Sequence, residues 1–175
     1  MVRYVALLRG INVSGQKLIK MEDLRAHFVM HDFENITTYI QSGNVIFDSA
    51  EKTTEALRKK IEEQLESKLG YAVPVIVRSI NELKKVIAAN PFADSEQGAG
   101  RVYVSFLSGK PAVAAKEQLE ALSYDAERVI VLNKEVYLLT ESYGNSKFPN
   151  TLVEKKLGLK ATVRNWNTVN KLAGL

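Results

Sequence analysis

The chain has 175 residues, of which 46% are apolar and 25% charged, and its formal net charge is +4. That length and apolar content suit one compact domain, or two small halves sharing a core, and exclude a disordered tail protein. There is no cysteine, which excludes disulfides, thiolate nucleophiles and thiolate metal sites. The mildly basic balance permits nucleic-acid contact without arguing for it. Ahead of Arg9 the apolar run Tyr4-Val5-Ala6-Leu7-Leu8 is too short for a signal peptide or a bilayer span. It reads as a buried strand, and the expected location is cytoplasmic.

That first strand stops at Arg9-Gly10, and Met21, Leu24 and Phe28 follow at helical spacing. Asn35 to Ile40 and Asn44 to Phe47 are strand-like and separated by Ser42-Gly43, a two-residue hairpin signal. Leu57, Ile61, Leu65 and Leu69 recur every fourth residue and stop at Gly70, a second helix closed by its glycine. Val73 to Val77 is a fourth strand, so this half reads βαββαβ. Ser79 with Glu82 forms a capping box for a connecting helix that ends at Asn90-Pro91.

The order then repeats. Arg101 to Leu107 is a strand, and Ala112, Ala115, Leu119 and Leu122 mark a helix with Pro111 near its first turn. Arg128 to Leu132 and Glu135 to Leu139 pair across Asn133-Lys134, a short helix spans about Thr151 to Leu157, and Ala161 to Arg164 is a last strand. Val77-Arg78-Ser79-x-Asn81 is echoed by Val163-Arg164-Asn165-x-Asn167, though the duplication rests more on element order.

Leu7-Leu8-Arg9-Gly10-Ile11-Asn12-Val13, Tyr39-Ile40-Gln41-Ser42-Gly43-Asn44-Val45 and Arg164-Asn165-Trp166-Asn167-Thr168-Val169 occur in that order. Together they resemble the bacterial family named domain of unknown function 1697. The likeness extends to Asn90-Pro91-Phe92 and Glu154-Lys155-Lys156-Leu157-Gly158, nearly the whole chain. It implies a tandem ferredoxin-like fold, in agreement with the element order, and a family without an established activity, so it carries over no catalytic residue. Ser14 departs from the family's usual Gly-Ile-Asn-Val-Gly-Gly, and a serine tolerates positive φ less well than glycine. The expected fold is therefore α+β, two ferredoxin-like βαββαβ halves packed as one unit. Residues 1–78 form the first half, 79–100 the connecting helix and linker, and 101–175 the second half with its C-terminal helix.

In the usual strand order 4-1-3-2, strands one and three are neighbours, and the end of strand one shares a sheet edge with the hairpin turn. Arg9, Gly10, Asn12 and Lys17 are then expected beside Gln41, Ser42 and Asn44. The stretch Gly10 to Lys20 is also long, where strand-to-helix loops need about two to six residues. Such loops commonly hold anions, phosphate above all, so a small anionic, phosphate-bearing ligand is the leading expectation. The plainer alternative is that Gly10 and Gly43 only turn the chain and Asn12 and Asn44 only bond their own backbone.

A weaker second cluster joins Ser146 and Lys147, as nucleophile and base, to Arg164, Asn165 and Trp166. For these the plainer roles are a helix cap for Asn165 and, for Trp166, filling the expected seam between the halves. The alternative class is a nucleic-acid or protein-binding module without catalytic activity, using Lys59, Lys60, Lys155 and Lys156. Specific nucleic-acid binding is not expected, because strand three, Asn44-Val45-Ile46-Phe47, lacks the aromatic pattern of an RNA-recognition module. No cofactor is implied, and no reaction is assigned. His27 and His31 are spaced i, i+4, but two ligands alone make a poor metal site. Treatment with a chelator should accordingly leave the melting temperature unchanged, and a chelator-induced fall of several degrees would contradict this reading.

Overall fold

The computed structural model describes residues 1–13, 15–29, 32–94, 101–122, 124 and 126–175. In chain order these form β1 (Val2–Leu8), α1 (Met21–His27), β2 (Phe33–Tyr39), β3 (Asn44–Ser49), α2 (Thr54–Leu69), β4 (Val75–Ser79) and α3 (Ile80–Ala88). There follow β5 (Val102–Leu107), α4 (Val113–Glu120), β6 (Arg128–Leu132), β7 (Glu135–Leu139), a 3-10 turn (Tyr143–Asn145), α5 (Asn150–Leu157), β8 (Ala161–Asn165) and α6 (Trp166–Ala173). The fold is mixed α+β, with two four-stranded antiparallel sheets ordered β2-β3-β1-β4 and β6-β7-β5-β8 among the described residues. None of the described helices is long and apolar enough to cross a membrane. The chain divides into two compact units, Met1–Leu83 with Leu172–Leu175, and Lys84–Lys171.

In the first unit every second residue of β1, Tyr4, Ala6 and Leu8, faces a core shared with Val45 and Phe47 of β3, Val75 and Val77 of β4 and the helices. Leu24 of α1 and Leu57, Ile61 and Leu65 of α2 close that core from above. Phe47 is its centre, with ring centroids 4.4 Å from Phe33, 5.9 Å from Tyr4 and 6.1 Å from Phe28. Each such side chain stabilises the fold by roughly 1.5–3 kcal/mol through burial. Helix α2 ends on Gly70 at φ 77°, whose N–H donates to Glu66 O at 2.8 Å, the left-handed cap that only glycine adopts without strain. The expected capping box forms. Glu82 N–H donates to Ser79 Oγ at 3.2 Å, and Ser79 N–H to Glu82 Oε2 at 2.7 Å.

The hairpin between β2 and β3 departs from the two-residue turn expected at Ser42-Gly43. Tyr39 pairs with Asn44, so the connection is Ile40 to Gly43. Two of its residues are left-handed, Ile40 at φ 50° and Gly43 at φ 78°. A β-branched residue rarely adopts that conformation, and such a backbone costs about 1–3 kcal/mol. The Asn44 side chain offsets this by donating from Nδ2 to Tyr39 O at 2.9 Å and to Ser42 Oγ at 3.0 Å, bracing the wider turn from inside.

The second unit repeats the scheme around Leu107, Val131, Val136, Leu138, Phe148 and Val153, with Leu119 of α4 and Leu157 of α5 against the sheet. Asn133, at φ 54°, makes the tight turn between β6 and β7. The Tyr137 hydroxyl donates to Val86 O at 2.8 Å, and its burial pushes its pKa well above the ordinary tyrosine value. Asn165 caps α6, its Oδ1 accepting from Thr168 N–H at 2.8 Å.

Gly43 is the backbone position with the least latitude. A Cβ there would stand 2.9 Å from Leu8 Cβ, whereas one on Gly15 would meet open space. Both glycines are left-handed, so alanine costs about 1–2 kcal/mol at either from the backbone alone. At Gly43 the overlap adds about 1–3 kcal/mol. In urea unfolding Gly43→Ala should lose about 2–5 kcal/mol and Gly15→Ala only about 1–2 kcal/mol; equal losses would remove the steric argument.

Candidate functional site

The edge of the first unit where β1 ends is built by a loop that turns back on itself. Gly10, Asn12, Gly15 and Lys17 are all left-handed, at φ 71°, 54°, 74° and 46°, and Gln16 N–H closes a tight turn on Val13 O at 3.0 Å. Ile11 is buried in the core and anchors the loop's first turn. The decisive side chain is Asn12. Its Oδ1 accepts from Ile19 N–H at 2.8 Å, while Nδ2 donates to Ile19 O at 3.0 Å and to Gln41 O at 2.9 Å. One amide thus joins both ends of the loop to the hairpin turn. Asparagine suits the place twice over, since it tolerates the left-handed backbone and carries donor and acceptor together.

Neighbouring contacts complete the frame. Leu8 N–H donates to Gly43 O at 2.8 Å and Arg9 N–H to Pro74 O at 2.9 Å. The Lys17 ammonium donates to Ala72 O at 3.3 Å and stands 4.9 Å over the Tyr71 ring. The loop is therefore held between the hairpin turn on one side and the approach to β4 on the other.

All seven residues expected at this edge, Arg9, Gly10, Asn12, Lys17, Gln41, Ser42 and Asn44, come together there. They divide into two groups. Asn12, Ser42 and Asn44 belong to the frame, and Asn44 is fully buried with its Nδ2 bonded inside the turn. Gly10, Lys17 and Gln41 are exposed, and Arg9 is half-buried. Ser14 lies outside the described residues.

The second cluster separates. Ser146 and Lys147 gather on Glu127, a residue that the sequence reading passed over. Thr140 Oγ1 donates to Glu127 Oε1 at 2.6 Å and Lys147 N–H to Oε2 at 2.8 Å. Burial pushes the Glu127 carboxyl up, but the hydrogen bonds from Thr140, Ser146 and Lys147 N–H, together with the Lys147 charge, outweigh it and hold the group below the usual range. Ser146 Oγ also accepts from Phe148 N–H at 2.9 Å, so that hydroxyl is a turn brace. Arg164, Asn165 and Trp166 lie at the end of β8. Arg164 Nη1 donates to Thr162 Oγ1 and Val163 O, both at 2.8 Å, and burial pushes its pKa down to about 10, so it stays charged at neutral pH. Trp166 is packed in the interior.

Glu127 left no signal in the letters, because it precedes β6 while Ser146 and Lys147 follow β7. Only the Arg128–Leu139 register brings them together. Of the lysines considered for nucleic acid, Lys60 is bound to Asp32 and stands 5.7 Å over the Phe33 ring. His31 lies outside the described residues, and among those described no group of three or more His, Cys, Asp or Glu side chains could hold a metal ion.

The family model described as "Protein of unknown function (DUF1697)" matches residues 1–137. The chain belongs to this family. The match contains the whole β1 loop and hairpin edge and ends inside β7. The stretches Glu154 to Gly158 and Arg164 to Val169, read above as part of the resemblance, lie beyond it. A solved structure of a conserved bacterial protein from Streptococcus pneumoniae superposes with a TM-score of 0.78 at 22% identity, covering 99% of this chain and 97% of that one. At that identity the likeness speaks for the fold. No curated protein matches the chain in sequence.

Replacing Asn12 with aspartate keeps the acceptor for Ile19 N–H and turns both donors into an anion facing the carbonyls of Ile19 and Gln41. Leaving such groups unsatisfied costs about 1–3 kcal/mol. Asn12→Asp should therefore lose roughly 2–3 kcal/mol in urea unfolding, and a change within about 0.5 kcal/mol, the range of an ordinary surface substitution, would show that the amide holds nothing.

Proposed function

We propose that the chain is a tandem pair of ferredoxin-like halves, and that the first half binds a small anionic ligand, phosphate-bearing, at the β1 loop and the turn before β3. The shared strand order of the two sheets supports the duplication. The observation that carries the binding reading is the Asn12 clamp. It fixes a loop with four left-handed residues, and such turns can present peptide N–H groups to an anion. Arg9 supplies positive charge, Gly10 an exposed stretch of backbone beside it, and Lys17 a second cation on the same loop. Gln41 stands at the rim, where a neutral amide can read the uncharged part of a ligand. Asn12, Ser42 and Asn44 keep the frame, and no bond-making step is assigned to any of these groups.

The test is a thermal-shift screen with inorganic phosphate, pyrophosphate, nucleoside monophosphates and sugar phosphates. A ligand at a hundred times its Kd stabilises the folded chain by about 2.7 kcal/mol, a shift of roughly 5–11 °C at this length. Arg9→Ala removes a charge-assisted donor and should abolish most of that shift while the variant remains folded. A hit that moves wild type and folded Arg9→Ala equally would place the anion elsewhere.

A further inference from the structure

The second unit holds a pocket of about 450 Å³ whose lining includes Tyr124, Glu127, Thr140, Ser142 and Lys147. That volume falls in the range of small-molecule sites. Its chemistry differs from that of the β1 loop. Glu127 is an anion fixed in place by the hydroxyls of Thr140 and Ser146 and the peptide N–H of Lys147, with the Lys147 ammonium adding a longer-range attraction. A carboxylate has about four lone-pair positions. Among the described residues three donors reach it, one fewer than it can accept, and the charge lines a pocket. Among the described residues the other carboxylate there, Glu141, is paired with Arg101, Nη1 to Oε1 at 2.9 Å.

The wall opposite in character is aromatic. Tyr124 is 39% exposed, yet its ring is fixed edge-on against Phe148 at 5.3 Å between centroids. A ring and a carboxylate lining one pocket are the two groups that recognise an ammonium, through cation–π attraction and a charge-assisted hydrogen bond. Lys147 lines the same pocket, and because its ammonium already acts on Glu127, the site takes no more than a single positive charge.

We propose that this pocket binds a small monoamine, with its ammonium on the Glu127 carboxylate and a short apolar or aromatic body against Tyr124. The site is independent of the anion reading for the first unit and stands or falls without it.

The test follows backbone amides in nitrogen-15 NMR spectra of the full chain at constant ionic strength. The probe is phenethylamine, with 2-phenylethanol as its uncharged counterpart and 3-phenylpropionate as its opposite in charge. Phenethylamine should shift the Glu141, Ser142 and Lys147 amides saturably, while 2-phenylethanol should bind at least about tenfold more weakly, the smallest factor expected from losing a hydrogen bond to a charged group. The propionate should not saturate. Glu127→Gln removes the charge and should weaken the amine by a similar factor, but it also changes the donors' partner. Ser142→Arg therefore serves as the second variant, since it leaves every hydrogen bond to Glu127 in place and introduces a cation at the pocket. It should abolish amine binding. The proposal is overturned if those amides do not respond, if 2-phenylethanol binds as well as the amine, or if folded Ser142→Arg binds phenethylamine like wild type.

Discussion

The Asn12 amide is the contact on which the arrangement of the first unit's edge depends. A loop of this length has many conformations, and closing it costs entropy that grows only slowly with added residues. What it lacks is a reason to prefer one of them. Asn12 supplies that reason by reaching Ile19 through both its peptide groups and Gln41 through its carbonyl. The loop's two ends and the hairpin turn thereby become one hydrogen-bonded body. Ile11, next in the chain, is sealed in the core, so the clamp and the hydrophobic anchor act on adjacent residues.

The sheet sets where that clamp can form. Leu7 pairs with Asn44 and Leu8 with Val75, which brings the end of β1 level with the hairpin turn and with the start of β4. Gly43 lets the turn close against Leu8 without a side chain between them, and Asn44 braces the turn from below. A shift of one residue in this register would send Asn44 to the other face and break the brace. Of the exposed groups of the edge, Gln41 is held by Asn12 and Lys17 by Ala72 O and the Tyr71 ring.

Much of the fold was legible because its determinants are local or periodic. The fourfold recurrence of Leu57, Ile61 and Leu65, the glycine at Gly70 and the Ser79–Glu82 box each act within a few residues, and all take the expected form. The neighbourhood of strands one and three followed from the usual strand order of a βαββαβ half. What stayed hidden involves backbone atoms as partners or register across strands. Asn12 reads as a turn former or as a ligand group, and only the positions of Ile19 and Gln41 reveal a clamp. The hairpin looked shorter than it is because Ser42-Gly43 carries the turn signal, whereas the Asn44 side chain widens the turn to include Ile40. Glu127 offered nothing to read, since the hydroxyls and N–H that hold it come from residues beyond β7, two strands further on.

The most direct test of this account is the hydrogen exchange of a single amide. Ile19 N–H donates to a side chain, Asn12 Oδ1, in a loop that without the clamp would be open to solvent. If the clamp fixes the loop, that proton should exchange at least about a hundredfold more slowly than in an unstructured peptide, an opening cost near 2.7 kcal/mol. Exchange within a few-fold of the free-peptide rate, in a protein whose β1 amides remain protected, would contradict the claim that Asn12 holds this edge in one conformation.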